Sequence, residues 1–372
     1  MDDFQGGSLR VAVIGVGLMG GSLGLAAREH AGATTVCGYG RNRDNLELAL
    51  ARGAITTIAD SVESAAAGAD LIFVATPVRL VLDHVRRALQ AAPSHAVVTD
   101  VGSTKGSLMS GLTDEEQRRC IGGHPLCGSE AAGVANARVG LYEGATYFLT
   151  PGTHVDPAAF QLLHSFVSKI GARPVAIDPE QHDRLMALMS HLPHVLANVL
   201  MTQAGRSSGP RDALLAAGPS FRDLTRVAGS NRRVWTDIFL ENRAALLAEL
   251  EDFQVGLRRM TEALATSDAD ALGEAIAQAA EDRGRMLTAS TLAPGELFRL
   301  VVKIPDRPGV IREITVALGD ANINIEDIAL HHMSAELGGA LTVYVGGENV
   351  CRQAADLLEG LDYEVITGRA VE

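Results

Sequence analysis

Short apolar runs and amphipathic stretches alternate along the first half of the chain. LRVAVIG, TTVCGYG, DLIFVATP, AVVTDVG, ATYFLTP and ARPVAID read as strands, and the segments between them have helical length and periodicity. Strands spaced in this way predict parallel βαβ units, hence an α/β, doubly wound parallel sheet over residues 8–178. From about Pro179 strand patterns give way to long amphipathic helices, through residue 292. In this segment Leu246, Leu250, Phe253, Leu257, Met260 and Leu264 follow a 4-3-4-3-4 spacing that draws one apolar seam along a helix. The seam must be covered, by the same subunit or by a second copy, and an all-helical domain that forms a homodimer is the expectation.

Beyond the loop ASTLAPG the pattern changes again. FRLVVKIPD, GVIREITVALGDA, INIEDIALHH, ALTVYVGG, NVCRQAADLLEGL and YEVITGRAV read β, α, β, β, α, β, the ferredoxin-like order, over residues 297–372. The linker falls near Pro294.

A chain of 372 residues suits this division, since domains average about 150 residues. Apolar residues make up 47% of it, yet no run approaches the roughly 18 uninterrupted apolar residues of a membrane helix. The start, MDDFQGGSLR, lacks the basic-then-apolar pattern of a secretory signal, so a cytoplasmic protein is expected. The net charge of -13 argues against nucleic acid or an anionic membrane as partner. Cys37, Cys120, Cys127 and Cys351 form no C-x-x-C pair and read as reduced thiols, with no metal site.

Candidate chemistry begins at VAVIGVGLMGGSL. Gly15, Gly17 and Gly20 follow a strand and open a helix, the context of the dinucleotide fingerprint; a purely structural turn is the alternative. Leu18, Met19 and the Thr76–Pro77 pair after a later strand join the candidate cofactor set. At the end of the second strand an acid would favour NAD, but Gly40 stands there, followed by Arg41 and Arg43. Two arginines suit a 2′-phosphate, so NADP is expected over NAD; exposed loop arginines are the other reading.

DVGSTKG lies at a strand end, where such sheets bind ligands, although Ser103 and Thr104 could simply cap the next helix. In GGHPLCGSE, His124 is expected on a loop that cannot easily bury it, and so to be functional. In HDRLMALMSHLPHVLAN a helical wheel gathers Asp183, Ser190, His194 and Asn198 on one side, with His191 at its edge. A polar stripe in an apolar helix must face water, a partner or a pocket. Arg226, Arg232 and Arg233 offer guanidinium groups for carboxylates, or surface salt bridges.

GVGLMGGSL, ATPV, DVGSTK, GGHPLCGSE, SHLPH and FRDLTR…W…IFLEN, in this order and spacing, resemble the prephenate and arogenate dehydrogenases of tyrosine biosynthesis, and the last segment resembles an ACT domain. The resemblance implies oxidative decarboxylation of a dicarboxylate substrate with hydride transfer to NADP or NAD. It implies His124 as base, Ser103 orienting it, Arg226 on a substrate carboxylate, and Ser190, His191, His194 and Glu130 at the pocket. Cys127 departs from the alanine more usual there. The turn Asp306-Arg307-Pro308-Gly309 and Asn322 resemble an ACT ligand site, implying feedback by an aromatic amino acid, tyrosine foremost; a domain that only stabilises the dimer is the alternative. Prephenate and arogenate differ by keto against amino, and Asp223 is a candidate partner for the amine.

Two competing readings meet the same residues. β-Hydroxyacid dehydrogenases share G-x-G-x-M-G but typically use a lysine on the helical domain, and the polar helix here has none. A non-enzymatic sensor would need no His124 and Arg226 pair.

Overall fold

The computed structural model describes residues 9–128, 133–207, 217–289, 297–305, 307, 309–325, 327–334 and 338–369. The chain divides into two compact units, residues 1–253 and 254–372.

In the first unit the order is β1 (Leu9–Ile14), α1 (Leu18–Glu29), β2 (Ala33–Tyr39), α2 (Arg43–Ala51), β3 (Thr57–Ile58), α3 (Val62–Ala66), β4 (Leu71–Val74), α4 (Val81–Ala91), β5 (Val97–Asp100), α5 (Gly106–Gly111), α6 (Asp114–Gln117), β6 (Cys120–Pro125), β7 (Thr146–Pro151), α7 (Pro157–Lys169) and β8 (Arg173–Ala176). The strands form one sheet in the order β3-β2-β1-β4-β5-β6-β7-β8. This is the Rossmann arrangement, with a reversal of winding between β1 and β4 that leaves a crevice at their C-terminal ends. Central strands are apolar on both faces because helices cover both. Val11 and Val13 pack into one buried cluster with Phe73 and Phe166, whereas Ala12 and Ile14 pack into the other with Val74 and Val85.

The sheet departs from the expected all-parallel pattern at β6 and β7, which pair antiparallel. Antiparallel neighbours need no crossover helix, and this connection instead carries two short 3₁₀ turns, Val134–Asn136 and Val139–Leu141. The tract CIGGHP is itself a strand, so His124 is not on a loop: it sits in β6 and is 9% exposed. Pairing with β7 through His124 and Phe148 supplies the strand character that its glycines and proline hid.

Helices make up the next stretch: α8 (Pro179–Met186), α9 (Leu192–Ser207), α10 (Pro219–Thr225), α11 (Arg232–Glu241), α12 (Arg243–Thr266) and α13 (Ala269–Ala289). Asp178 caps α8, its side chain accepting from the Glu180 and Gln181 amides. A π turn, Ala187–His191, joins α8 to α9. Pro179–Arg206 is long and apolar enough to cross a membrane by length and composition, but His182, Asp183 and His191 are buried in it with polar partners in the first unit. Of the apolar seam on α12, Leu246 is buried while Phe253, Leu257 and Leu264 are exposed.

In the second unit β9 (Leu297–Ile304), α14 (Val310–Asp320), β10 (Asp327–Ser334), β11 (Gly338–Gly346), α15 (Glu348–Glu359) and β12 (Glu364–Arg369) reproduce the expected βαββαβ order. Their antiparallel sheet runs β10-β11-β9-β12 over a core that includes Leu300, Val302, Ile314, Val343 and Leu358.

Candidate active site

The turn from β1 into α1 is built by its glycines. Gly15 has φ of +102°, and a Cβ there would come within 2.5 Å of the Ala75 carbonyl oxygen. A Cβ on Gly20 would lie 2.2 Å from the Gly15 oxygen, whereas nothing lies within 4 Å of that position on Gly17. The first glycine therefore makes the turn, the third lets helix and strand close up, and the second leaves the N-terminus of α1 open to an anion. Beside it, at the β1/β4 switch point where such sheets bind nucleotides, lies a cleft of about 290 Å³.

Gly15, Gly17, Arg41, Thr76 and Pro77 line this cleft. Leu18 is buried and Met19 packs on the core, its carbonyl accepting from the Tyr142 hydroxyl at 2.8 Å. Arg43 reaches Glu47 at 3.2 Å and Asp60 at 3.8 Å. His84, which the sequence did not single out, lines the cleft and meets Thr76 Oγ1 at 3.1 Å.

The second group of residues meets where α8 packs against β7 and the start of α5. His124 Nδ1 lies 2.8 Å from His182 Nε2, and His182 Nδ1 lies 2.8 Å from Asp183 Oδ1. Asp183 also accepts the amides of Lys105, at 2.8 Å, and Gly106, at 2.7 Å. A carboxylate only accepts, so His182 carries its proton on Nδ1 and presents a bare Nε2. His124 then donates from Nδ1 and keeps Nε2 as a free acceptor, the tautomer of a general base.

Electrostatics favour the same state. Burial foremost, then the neighbouring His182, Lys105 and His191, push the protonation of His124 well below the ordinary histidine range. Burial alone would raise the Asp183 carboxyl, but hydrogen bonds from His182 and the two amides outweigh it and hold it low. His124 is thus neutral and Asp183 anionic at neutral pH.

The rest of the candidate set gathers on the helices. His191 is buried, with Nδ1 3.1 Å from Asn242 Nδ2, and burial brings it to about 4. His194 stacks on Trp235, with ring centroids 3.3 Å apart, and burial followed by the charge of Arg226 brings it to about 4. Its Nδ1 and the Thr104 hydroxyl are buried polar atoms with no hydrogen-bond partner among the described residues. Ser190 is half-buried and Ser103 lies half-buried between β5 and α5. Arg226 ends α10 and is exposed, as are Asp223, Arg232 and Arg233.

The expected wheel stripe shifts at the π turn, whose extra residue rotates the remainder of the helix. His191 moves inward, and Asn198 is exposed, its side chain donating to the His194 carbonyl at 2.8 Å. Cys127 packs against the core, and burial lifts its thiol to about 11, as a packing residue would be. Glu130, Asp306 and Pro308 lie outside the described residues, as does the linker near Pro294. Gly309 has φ of +92° at the start of α14, and Asn322 has φ of +56° after its end.

Three family models match the chain: the prephenate dehydrogenase nucleotide-binding domain over residues 23–176, the prephenate dehydrogenase dimerization domain over 178–278, and the ACT domain over 298–362. A prephenate dehydrogenase of Bacillus subtilis is 31% identical over 361 residues, covering 95% of this chain and 97% of its own. The crystal structure of prephenate dehydrogenase from A. aeolicus with hydroxyphenyl propionate and NAD+ superposes with a TM-score of 0.70 at 30% identity, covering 75% of this chain and 99% of its own. That of Synechocystis arogenate dehydrogenase gives 0.68 at 28% identity, covering 75% and 100%. With this cleft, this buried histidine pair and these matches, the chain belongs to the prephenate/arogenate dehydrogenase family, as a Rossmann, helical and ACT-domain protein that uses a pyridine nucleotide.

Proposed function

We propose that this protein oxidatively decarboxylates prephenate to 4-hydroxyphenylpyruvate in tyrosine biosynthesis. The observation that carries the reading is His124, buried, neutral and held through Nδ1 by His182 and Asp183 with Nε2 left to accept. Bound nicotinamide supplies the hydride acceptor. His124 Nε2 takes the proton of the ring hydroxyl as the hydride leaves the same carbon; the bond to the ring carboxylate then breaks, its electron pair makes the ring aromatic and leaves a phenolate as carbon dioxide departs, and His124 returns the proton to that oxygen. The protein's part is to orient and deprotonate. The proton gained by His124 faces, through His182, the anionic Asp183. His182 takes the orienting contact on Nδ1 that was expected of Ser103, Arg226 grips a carboxylate, and Ser190, His191, His194 and Glu130 border the substrate. Arogenate is the second reading, since the Synechocystis relative is named for it.

NADP is favoured over NAD. Gly40 stands where an acid would hold the ribose, and Arg41 lines the same cleft. Three domains, residues 8–178, 179–292 and 297–372, are supported by the matched segments 23–176, 178–278 and 298–362, although the two compact units part at residue 253, within the helical domain. The helical domain forms a homodimer through the exposed seam of α12, and the ACT domain binds an aromatic amino acid, tyrosine foremost, that regulates the enzyme. The cytoplasm is its place of work.

Initial rates with prephenate or arogenate, each with NADP or NAD, test the reading by reduced-nicotinamide absorbance. The fastest pair is expected to be prephenate with NADP; cofactor binding without turnover of either substrate would contradict it.

A further inference from the structure

The motifs DVGSTKG and GGHP meet in a buried ion pair that takes no part in the proton transfer itself. Asp100 and Lys105 are wholly buried, and their side chains form a salt bridge. Such a pair adds little stability over apolar residues of the same volume, so its other contacts are informative. They converge on one residue. Lys105 Nζ donates to the Gly123 carbonyl at 2.8 Å, and Asp100 Oδ1 accepts from the Gly123 amide at 3.0 Å. Asp100 Oδ2 also accepts from the Gly102 amide at 2.8 Å. Gly123 immediately precedes His124, and Gly102 immediately precedes Ser103.

The pair acts where backbone pairing has run out. The β5–β6 ladder comprises Val98 with Cys120 and Thr99 with Ile121. On its other edge β6 stays paired with β7 through His124 and Pro125. At Gly123 the side chains of Asp100 and Lys105 therefore replace the missing ladder bonds. The two glycines are confined from both neighbouring strands: a Cβ on Gly122 would lie 2.3 Å from Thr150 Oγ1 and 2.8 Å from Lys105 Cδ, and one on Gly123 would lie 2.4 Å from the Asp100 carbonyl oxygen.

We propose that Asp100 and Lys105 are positioning residues that clamp both hydrogen-bonding groups of Gly123 and so fix where His124 presents its free Nε2. This rests on the assignment of His124 as base. The ionisable groups around His124 are His182 and Asp183 from α8, His191 from the π turn, Tyr147 from β7, and Asp100 and Lys105 themselves. Lys105 is the cation of the set, and its charge opposes a second positive charge on the imidazole.

The test uses the full chain with Lys105→Met, Lys105→Arg and Asp100→Asn, comparing kcat, KM and the acid limb of kcat/KM, with histidine NMR titration alongside. Lys105→Met is expected to lower kcat about 100-fold with little change in KM, and to move the acid limb up by about one pH unit. Lys105→Arg keeps the charge and should recover part of the rate with the limb in place. Asp100→Asn leaves the lysine charge uncompensated and should move the limb the other way, which general destabilisation cannot do. A folded Lys105→Met enzyme with wild-type kcat, or with an unmoved limb, overturns the clamp. If Lys105→Met does not fold, an unmoved limb in Asp100→Asn overturns it. Absence of wild-type turnover with prephenate and arogenate would instead overturn the functional reading, and the His124 titration in Asp100→Asn would then decide on the clamp: moved, it stands; unmoved, it falls.

Discussion

His124 Nδ1 and His182 Nε2 lie 2.8 Å apart, two buried imidazoles meeting edge to face at an interplanar angle of 71°. The contact sets the tautomer of His124, because Asp183 fixes the proton of His182 on its far nitrogen. Replacing His182 with Asn should remove that control without touching the substrate. The expected loss is about 100-fold in kcat with KM nearly unchanged. Steady-state kinetics check it; a wild-type kcat would mean that His124 orients itself.

The pH dependence is set by the direction in which His124 is displaced. A base works when neutral, so the rate is full above its protonation point and falls as pH drops through it. Burial, His182, Lys105 and His191 place that point well below the ordinary 6.5. The acid limb of kcat/KM should therefore lie wholly below pH 6.5. A half-maximal point at or above that pH would argue against a buried neutral base.

Arg41 and Arg43 are two residues apart but do different things. Arg41 lines the nucleotide cleft, whereas Arg43 pairs with Glu47 and Asp60. Arg41→Ala should lower kcat/KM for NADP by roughly 10-fold or more, as loss of a charge-assisted bond does, and spare NAD. Arg43→Ala should leave both cofactors nearly unaffected. Equal losses in the two variants would remove the distinction.

Much of this organisation is legible in the sequence, and the exceptions have physical causes. The β1–α1 turn is legible because an apolar strand, three glycines and a helix fall in immediate succession. Strand β6 is not, because Gly122, Gly123 and Pro125 carry no strand propensity; β7 and the Asp100–Lys105 pair hold it extended. The sequence does not single out His182, since its partner, His124, is 58 positions earlier in the chain. The inward turn of His191 is hidden for another reason: it depends on a π turn that the helical period does not encode.

The exposed seam on α12 makes a prediction about assembly. Leu257 is 55% exposed and Leu264 65% exposed in the single chain, a large apolar area to leave in water. Leu257→Asp should shift the protein from dimer to monomer in sedimentation or light scattering while each chain stays folded. An unchanged dimer would put the interface elsewhere.

The most direct test of the central claim compares wild type, His124→Asn and Arg226→Ala in initial rates with prephenate and NADP, with substrate affinity measured separately. His124→Asn should lose 100-fold or more in kcat, on the order expected for a general base, while still binding substrate, and Arg226→Ala should mainly raise KM. A His124→Asn enzyme that turns over at the wild-type rate would contradict the assignment of His124 as the base.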